Sequence, residues 1–156
     1  MKRLIFLLFL FIGLSASAQV KLLDMSHLQK RVSNADTVYI VNFWATWCGP
    51  CVAELPNYEK FQTTHKNQPV KILLVSMDFQ SKLNTDVIPF IKKHQYKTEI
   101  FLAQRKSDEE WINAIDKDWS GALPGTLIVS QKKGIRKFYE QEFTYDELNK
   151  LYQANK

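Results

Sequence analysis

The stretch of sequence that decides the fold reads Phe43-Trp44-Ala45-Thr46-Trp47-Cys48-Gly49-Pro50-Cys51, and it holds both cysteines of the 156-residue chain. It continues the segment from Thr37 to Ala45, whose aromatic and β-branched residues without strict alternation predict a central strand buried on both faces. Two cysteines three positions apart on a helix share one face, so their sulfurs can meet in a small ring. A strand that delivers such a pair to the start of a helix is typical of a site that makes and breaks a disulfide.

The two cysteines have different predicted roles. Cys48 falls at the helix N-terminus, where unpaired backbone N–H groups and the positive end of the helix dipole stabilise a thiolate, so we predict it to be the attacking nucleophile. Cys51 lies one turn inside the helix and is less exposed, so we predict that it resolves the mixed disulfide formed on Cys48. Pro50 suits the first turn, where it loses no helical hydrogen bond, and Gly49 leaves the nucleophile uncrowded.

Other uses of a Cys-x-x-Cys pair find less support in this sequence. Zinc needs two more ligands, and His27, His65 and His94 are not in ligand spacing, so we predict neither a metal site nor a cofactor. A purely structural disulfide is disfavoured because the stabilisation from a cross-link shrinks with the closed loop, which here is nearly the shortest possible. A Cu(I)-binding metallochaperone, in which both thiolates hold the ion, is the alternative from a different functional class.

Residues 1–18 have the three parts of a secretory signal peptide: the basic pair Lys2-Arg3, an apolar run from Leu4 to Leu14, and small residues ending at Ala18. We expect cleavage after Ala18, which leaves residues 19–156 as one domain. The alternative is an uncleaved membrane anchor, but an apolar run of about 11 residues is much shorter than the roughly 20 that span a bilayer. Export would place both thiols in an oxidising compartment, where a disulfide persists and a reductant must be supplied.

The formal net charge of +5 comes from basic residues that are spread along the chain. Binding to nucleic acid or to an anionic membrane surface needs a concentrated basic patch, so neither partner is predicted. The pairs Lys92-Lys93 and Lys132-Lys133 are interpreted as a solvated helix face and a turn.

Hydrophobic periodicity and turn signals predict an α/β domain that ends in an antiparallel hairpin and a helix. The predicted strands are 37–45, 70–77, 99–103, 126–130 and 135–143. The predicted helices are 26–32, the cysteine motif to about 62, 86–96, 107–119 and a terminal helix from 144. Ser107 and Glu110 have the spacing of a capping box, and Thr144 with Glu147 forms a second one; they mark the last two helix starts.

The stretch from Phe43 to Cys51 resembles the active-site segment of the thioredoxin superfamily, and Cys51-Val52-Ala53-Glu54-Leu55-Pro56 is similar to its exported TlpA/ResA-like branch. The segment Ile72–Asp78 and the pair Leu123-Pro124 support the resemblance. It implies a thioredoxin fold, which is a central mixed β-sheet flanked by helices. About 25 residues between Asp78 and Ala103 would form the extra helix and strand that this branch inserts.

The resemblance also implies a substrate-binding wall opposite the disulfide. Pro124 is expected to be the cis-proline that faces the disulfide, with the backbone of Leu123 free to pair with an extended segment of a client, meaning a protein whose disulfide is exchanged. The alternative is an ordinary trans proline that starts a strand. The family usually places Thr after this proline, whereas Gly125 follows here, which bears on client preference and loop rigidity.

Glu54 and two tryptophans complete the candidate site. Glu54 follows Cys51 by three positions on the same helical face, and a partly buried carboxylate with a raised pKa can accept the proton of the resolving thiol. Cytosolic thioredoxins carry a buried Asp at the position of Asn42, so the acid has moved here, as in the branch. The alternative for Glu54 is a solvent-facing first-turn residue. Trp47 is expected on the client groove and Trp44 below it, with core packing as the alternative for both.

The predicted function is reduction of disulfides in client proteins by an exported, monomeric thiol–disulfide oxidoreductase, located in the periplasm if the cell is Gram-negative. A reductant in an oxidising compartment also needs an electron donor linked to the membrane. An oxidase or isomerase with the same residues is the alternative, and a role in cytochrome c maturation stays open. A thiol peroxidase is disfavoured because Thr46 lies only two residues before Cys48, so no Thr-x-x-Cys pocket is formed.

Overall fold

One mixed sheet flanked by five α-helices organises residues 20–156, the part of the chain that the computed structural model describes. The strands are β1 (Lys21–Leu23), β2 (Val38–Trp44), β3 (Val70–Ser76), β4 (Glu99–Ala103), β5 (Gly125–Ser130) and β6 (Ile135–Tyr139). The helices are α1 (Met25–Arg31), α2 (Gly49–Thr64), α3 (Ile88–His94), α4 (Asp108–Ile115) and α5 (Tyr145–Asn155). The predicted signal peptide lies outside the described residues. No helix within 20–156 has the length and apolar character needed to cross a membrane.

The six strands lie in the order β1-β4-β3-β2-β5-β6. The first four of these run parallel to one another, while β5 is antiparallel to β2 and β6 is antiparallel to β5. This is the thioredoxin fold with its mixed central sheet, as predicted. Parallel strands require both sheet faces to be covered, because their crossover helices pack on the two sides.

Strand β2 is buried along its whole length, which confirms the prediction of a central strand covered on both faces. Alternate side chains enter two cores, so that Trp44 belongs to the core that includes residues of α2, α3 and α5, and Phe43 to the core that includes residues of α1 and α4. Since β2 lies between β3 and β5, its carboxyl end delivers the cysteine motif to the middle of the sheet edge.

The insertion between Asp78 and Ala103 contains the expected helix and strand. Its helical part begins earlier than predicted, with a 3₁₀ turn at Gln80–Lys82 and a π turn at Leu83–Val87 before α3. Pro89 is the second residue of α3, a position where a missing N–H is tolerated. Strand β4 then joins the sheet beside β3.

The sequence prediction also missed one strand and extended two elements too far. The three-residue strand β1 was too short for periodicity to reveal, and it exists because it pairs with β4. Helix α4 ends at Ile115 and not at Trp119, whose indole instead donates a 2.8 Å hydrogen bond to the Ala122 carbonyl. Strand β6 ends at Tyr139, so Phe143 lies outside the sheet.

Candidate active site

Cys48 and Cys51 form a disulfide at the start of α2, with an S–S distance of 2.03 Å. Cys48 is the N-cap residue in extended conformation, and its sulfur accepts a hydrogen bond of 3.3 Å from the Cys51 amide. Gly49 and Pro50 are the first two helical residues, as predicted. The proline thus occupies a position where a backbone N–H would have no acceptor within the helix. The motif therefore places one sulfur at the helix terminus and the other within its first turn.

The two cysteines differ in exposure in the direction that the predicted roles require. Cys48 is 6% exposed, whereas Cys51 is fully buried. A Cβ built on Gly49 meets no atom within 4 Å, so packing within the chain does not require glycine there. The space over Gly49, directly after Cys48, is open.

Glu54 lies on the buried face of α2, three residues after Cys51, and only 3% of it is exposed. The exposed first-turn alternative is therefore wrong. Its carboxylate accepts hydrogen bonds from the Asn42 side-chain amide at 2.7 Å and from the Phe143 backbone amide at 2.8 Å. Burial raises the pKa of Glu54 from its usual 4.5 to about 7, although the Phe143 and Asn42 hydrogen bonds oppose this rise. The group thus exchanges a proton near neutral pH.

A buried polar cluster joins this carboxylate to the centre of the sheet; its members are Glu54, Asn42, Thr126 and Tyr58. Asn42 on β2 and Thr126 on β5 are register partners, and the Asn42 amide lies 3.3 Å from the Thr126 hydroxyl. The Tyr58 hydroxyl lies 2.8 Å from the same Thr126 oxygen. Burial and the nearby Glu54 carboxylate raise the pKa of Tyr58, so its hydroxyl stays protonated. The cluster links helix α2 to both strands that flank the site.

The Leu123–Pro124 peptide bond is cis, in agreement with the expectation from the resemblance. Pro124 immediately precedes β5, whose first residue Gly125 is the register partner of Phe43 near the end of β2. The loop with the cis bond therefore lies at the same sheet edge as the cysteine motif. The half-buried Leu123 side chain packs against both cores.

Gly125 is required by close packing against a neighbouring aromatic ring. A Cβ built at this position would lie 2.5 Å from Cζ of Phe138. That ring in turn stacks near Trp119 and Phe43, with centroid distances of 4.8 and 6.2 Å. The space that a family threonine would use is thus filled from β6, and a side chain at residue 125 has to move the Phe138 ring.

The two predicted tryptophans have opposite environments. Trp47, next to the nucleophile, is 69% exposed, so core packing does not explain it. Trp44 is fully buried and packs on Phe90 of α3 with a centroid distance of 5.2 Å. Trp44 thus belongs to the core below the site, as expected, and Trp47 to its surface.

Sequence reasoning missed a second anchor of the active-site loop, which we name the Asp78 clamp: Asp78 with Thr46, Ser76 and Arg105. The buried Asp78 carboxylate accepts from the Thr46 amide at 3.0 Å, the Thr46 hydroxyl at 2.6 Å and the Ser76 hydroxyl at 2.7 Å. Arg105 donates to the backbone carbonyls of Met77 and Asp78 at 2.7 and 3.3 Å. An aspartate directly after a buried strand was the available signal. The clamp ties the residues before Cys48 to the end of β3.

Among the described residues, no group of three or more His, Cys, Asp or Glu side chains is arranged to hold a metal ion. The two sulfurs, which are the soft ligands that Cu(I) would need, are joined to each other in this state. The groups available for chemistry at the site are thus the disulfide and the Glu54 carboxylate.

Comparison with known proteins links this geometry to thiol–disulfide exchange. A sequence model of the AhpC/TSA family matches residues 17–138. The chain is 46% identical over 109 residues to the thiol-disulfide oxidoreductase ResA of Oceanobacillus iheyensis, covering 70% of this chain and 52% of that protein. It is 27% identical over 107 residues to the sporulation thiol-disulfide oxidoreductase A of Bacillus subtilis, covering 68% of this chain and 61% of that one. The chain thus spans between half and two thirds of these relatives.

A solved structure shows the same architecture. The thioredoxin-related protein from Neisseria meningitidis serogroup B superposes with a TM-score of 0.67 at 25% sequence identity. The alignment covers 79% of this chain and 87% of that one.

Proposed function

Since the chain belongs to the AhpC/TSA family of the thioredoxin superfamily, we propose that it is a thiol–disulfide oxidoreductase that reduces disulfides in client proteins. In the first step the Cys48 thiolate attacks one client sulfur, and the other client sulfur leaves as a thiolate. The Cys51 thiolate then attacks Cys48, which releases the client with both sulfurs reduced. Two electrons have passed to the client, and the protein holds the Cys48–Cys51 disulfide.

The observation that carries this proposal is the asymmetric disulfide above a buried carboxylate. Cys48 is the cysteine with residual exposure, and it occupies the N-cap position of α2, where the helix dipole favours a thiolate. The names of the two bacterial relatives, both thiol-disulfide oxidoreductases, support the same chemistry. The TlpA/ResA-like branch is the part of the superfamily that these relatives represent.

Glu54 is proposed to accept the proton of Cys51 in the resolving step. A thiol buried without exposed surface needs an internal acceptor, and Glu54 lies on the same helix face one turn further on. A pKa of about 7 lets the carboxylate take up this proton and release it again near neutral pH. Asn42 and the Phe143 amide hold the two carboxylate oxygens in place.

Clients are proposed to bind across the cis-proline loop and the motif. The backbone of Leu123 would pair with an extended client segment, with Pro124 against the disulfide and Trp47, Gly49 and Pro50 on the opposite side. The exposure of Trp47 and the open space over Gly49 support this arrangement. Recognition through main-chain atoms fits a reductant that serves several clients.

The direction of electron flow and the location belong to the same proposal. Residues 1–18 would direct export and be removed, leaving 19–156 as a monomeric domain in the periplasm of a Gram-negative cell or its equivalent. The Gly49-Pro50 dipeptide is the one that the resemblance associates with reductants. Net reduction outside the cytoplasm then requires a membrane-linked electron donor.

The test is to express Cys51→Ser in the native host and to identify what stays covalently bound to Cys48. We expect exported proteins with cysteine pairs to be trapped as mixed disulfides, and the matched Cys48→Ser variant to trap none. A folded, exported Cys51→Ser protein that traps nothing would contradict the proposal. A reduction potential of about −270 mV supports a reductant, whereas one of about −120 mV would identify an oxidase or isomerase.

A further inference from the structure

Two exposed aromatic side chains lie at the sheet edge that carries the disulfide. Within residues 20–156, the large hydrophobic side chains that are exposed are Leu22 at 47%, Trp47 at 69% and Phe79 at 66%. Isolated apolar residues on a surface are ordinary, but two large exposed aromatic residues on adjoining loops next to a reactive site are less so. Phe79, unlike Trp47, has no role in the disulfide chemistry described so far.

The sheet register places Phe79 and Trp47 at equivalent positions. Trp44 at the end of β2 pairs with Ser76 at the end of the parallel strand β3. Each aromatic residue follows its member of this pair by three positions. Neighbouring strands are about 4.8 Å apart, so the two loops leave the sheet side by side and in the same direction.

The Asp78 clamp keeps the two loops together beyond the sheet. Asp78 precedes Phe79, and its carboxylate binds the amide and hydroxyl of Thr46, which precedes Trp47. The Met77 amide also donates a 2.7 Å hydrogen bond to the Trp44 carbonyl. These hydrogen bonds hold together the backbone segments that directly precede Trp47 and Phe79. The exposed Phe79 side chain therefore starts from a backbone position that is fixed relative to the cysteine motif.

We propose that Phe79 acts with Trp47 to bind an apolar side chain of the client located within about six positions of its reacting cysteine. The proposal rests on the proposed function. A mixed disulfide on Cys48 places the client chain beside the loop that carries Trp47. Cys48 is connected to Phe79 through Trp47, Thr46, the hydrogen bond from Thr46 to the Asp78 carboxylate, and Asp78. Three Cα–Cα steps and this side-chain contact place the two Cα atoms at most about 20 Å apart, a distance that about six extended residues cover.

The test uses two single-cysteine peptides that carry thionitrobenzoate on the cysteine and differ only at one nearby position, Phe in one and Ser in the other. When pre-reduced protein is mixed with peptide, the Cys48 thiolate attacks the peptide sulfur and thionitrobenzoate leaves as a coloured thiolate. Cys51 then attacks Cys48 and releases the peptide thiol, so each turnover oxidises one protein dithiol. Scanning the variable position over about six residues on either side of the cysteine locates the contact.

The wild-type protein is expected to react about tenfold faster with the Phe peptide than with the Ser peptide at the best position. Phe79→Ala should bring this ratio close to one. Leu22→Ala is the matched control, because it removes an exposed apolar side chain from β1, two strands away from β3, and should keep the ratio. Melting temperatures of both variants verify that they are folded.

Each result decides between the two levels of the proposal. Reaction with both peptides at equal rates, or a preference that Phe79→Ala retains, overturns the role of Phe79 and leaves the oxidoreductase proposal intact. Loss of the preference in Leu22→Ala as well also overturns the role, because the effect is then not local. Failure of the wild-type protein to react with either peptide overturns the proposed function itself.

Discussion

Replacing Glu54 by Gln removes the ionisation of the buried carboxylate while nearly preserving its size. The Phe143 amide can only donate, so the carbonyl oxygen of the new side chain must take that contact. Its NH₂ group then faces Asn42, whose own Oδ1 is buried and has no hydrogen-bond partner. Rotation of the Asn42 amide would present this oxygen as the acceptor. Glu54→Gln therefore keeps both contacts of the residue 54 side chain, while the rotated Asn42 NH₂ takes the position in which its oxygen now has no partner, a cost that does not change with pH.

The size of the effect follows from the raised pKa. Below about pH 4.5 the carboxyl group is protonated in both the folded and the unfolded state, so it adds no pH dependence. Between 4.5 and about 7 the unfolded chain ionises while the folded protein keeps its proton, so stability falls as the pH rises. A pKa raised from 4.5 to about 7 corresponds to a loss of about 3 kcal/mol in the free energy of unfolding.

Urea unfolding of the oxidised proteins measures this loss, because the disulfide-bonded cysteines do not titrate. From about pH 4 to about pH 8, the free energy of unfolding of Glu54→Gln should rise relative to that of the wild type by about 3 kcal/mol. The rate of resolution by Cys51 should fall about 100-fold above pH 7, and less at lower pH, where Glu54 is already protonated. A stability difference that is constant with pH would refute the buried ionisation. Unchanged exchange kinetics from about pH 5 to 9 would refute the proton-accepting role.

Two further predictions concern the packing around the site. Gly125→Ala should lower the free energy of unfolding by about 1–3 kcal/mol, because its Cβ would overlap the Phe138 ring. Gly49→Ala is the control and should leave the free energy of unfolding unchanged, because the space there is open. Equal effects of the two substitutions in denaturant unfolding would contradict this. Thr46→Val should cost about 1–3 kcal/mol by leaving buried Asp78 without its 2.6 Å partner. Thr46→Ser keeps the hydroxyl group, so it should match the wild type both in stability and in the reactivity of Cys48 towards a small disulfide. A Thr46→Ser protein as unstable as Thr46→Val would argue against the hydroxyl contact.

The features predictable from sequence are those that local pattern determines. The continuous apolar pattern of β2, the cysteine pair at a helix start and the capping box of Thr144 and Glu147 all depend on residues near one another in the chain, and the structure contains each of them. The cis bond at Pro124 came from the family resemblance, because local chemistry alone favours trans.

The unpredicted features depend on contacts between distant segments. Phe143 was expected at the end of a strand, but its amide instead binds Glu54, 89 residues away in sequence. The Asp78 clamp joins loops 32 residues apart, and Phe138 fills the space beside Gly125 from the neighbouring strand. Periodicity gives the face on which a residue lies, and only the sheet register shows which residues meet across it.

The hydrogen bond between the Phe143 amide and Glu54 also makes the protonation of Glu54 observable by NMR. Proton uptake by the carboxylate weakens the acceptor of this one amide, so its ¹H and ¹⁵N resonances should move with a midpoint near the Glu54 pKa of about 7. Phe143 directly precedes the N-cap of α5 and is itself far from the cysteines in sequence. An isotope-labelled sample would therefore follow proton transfer during the redox cycle without any probe attached to the sulfurs.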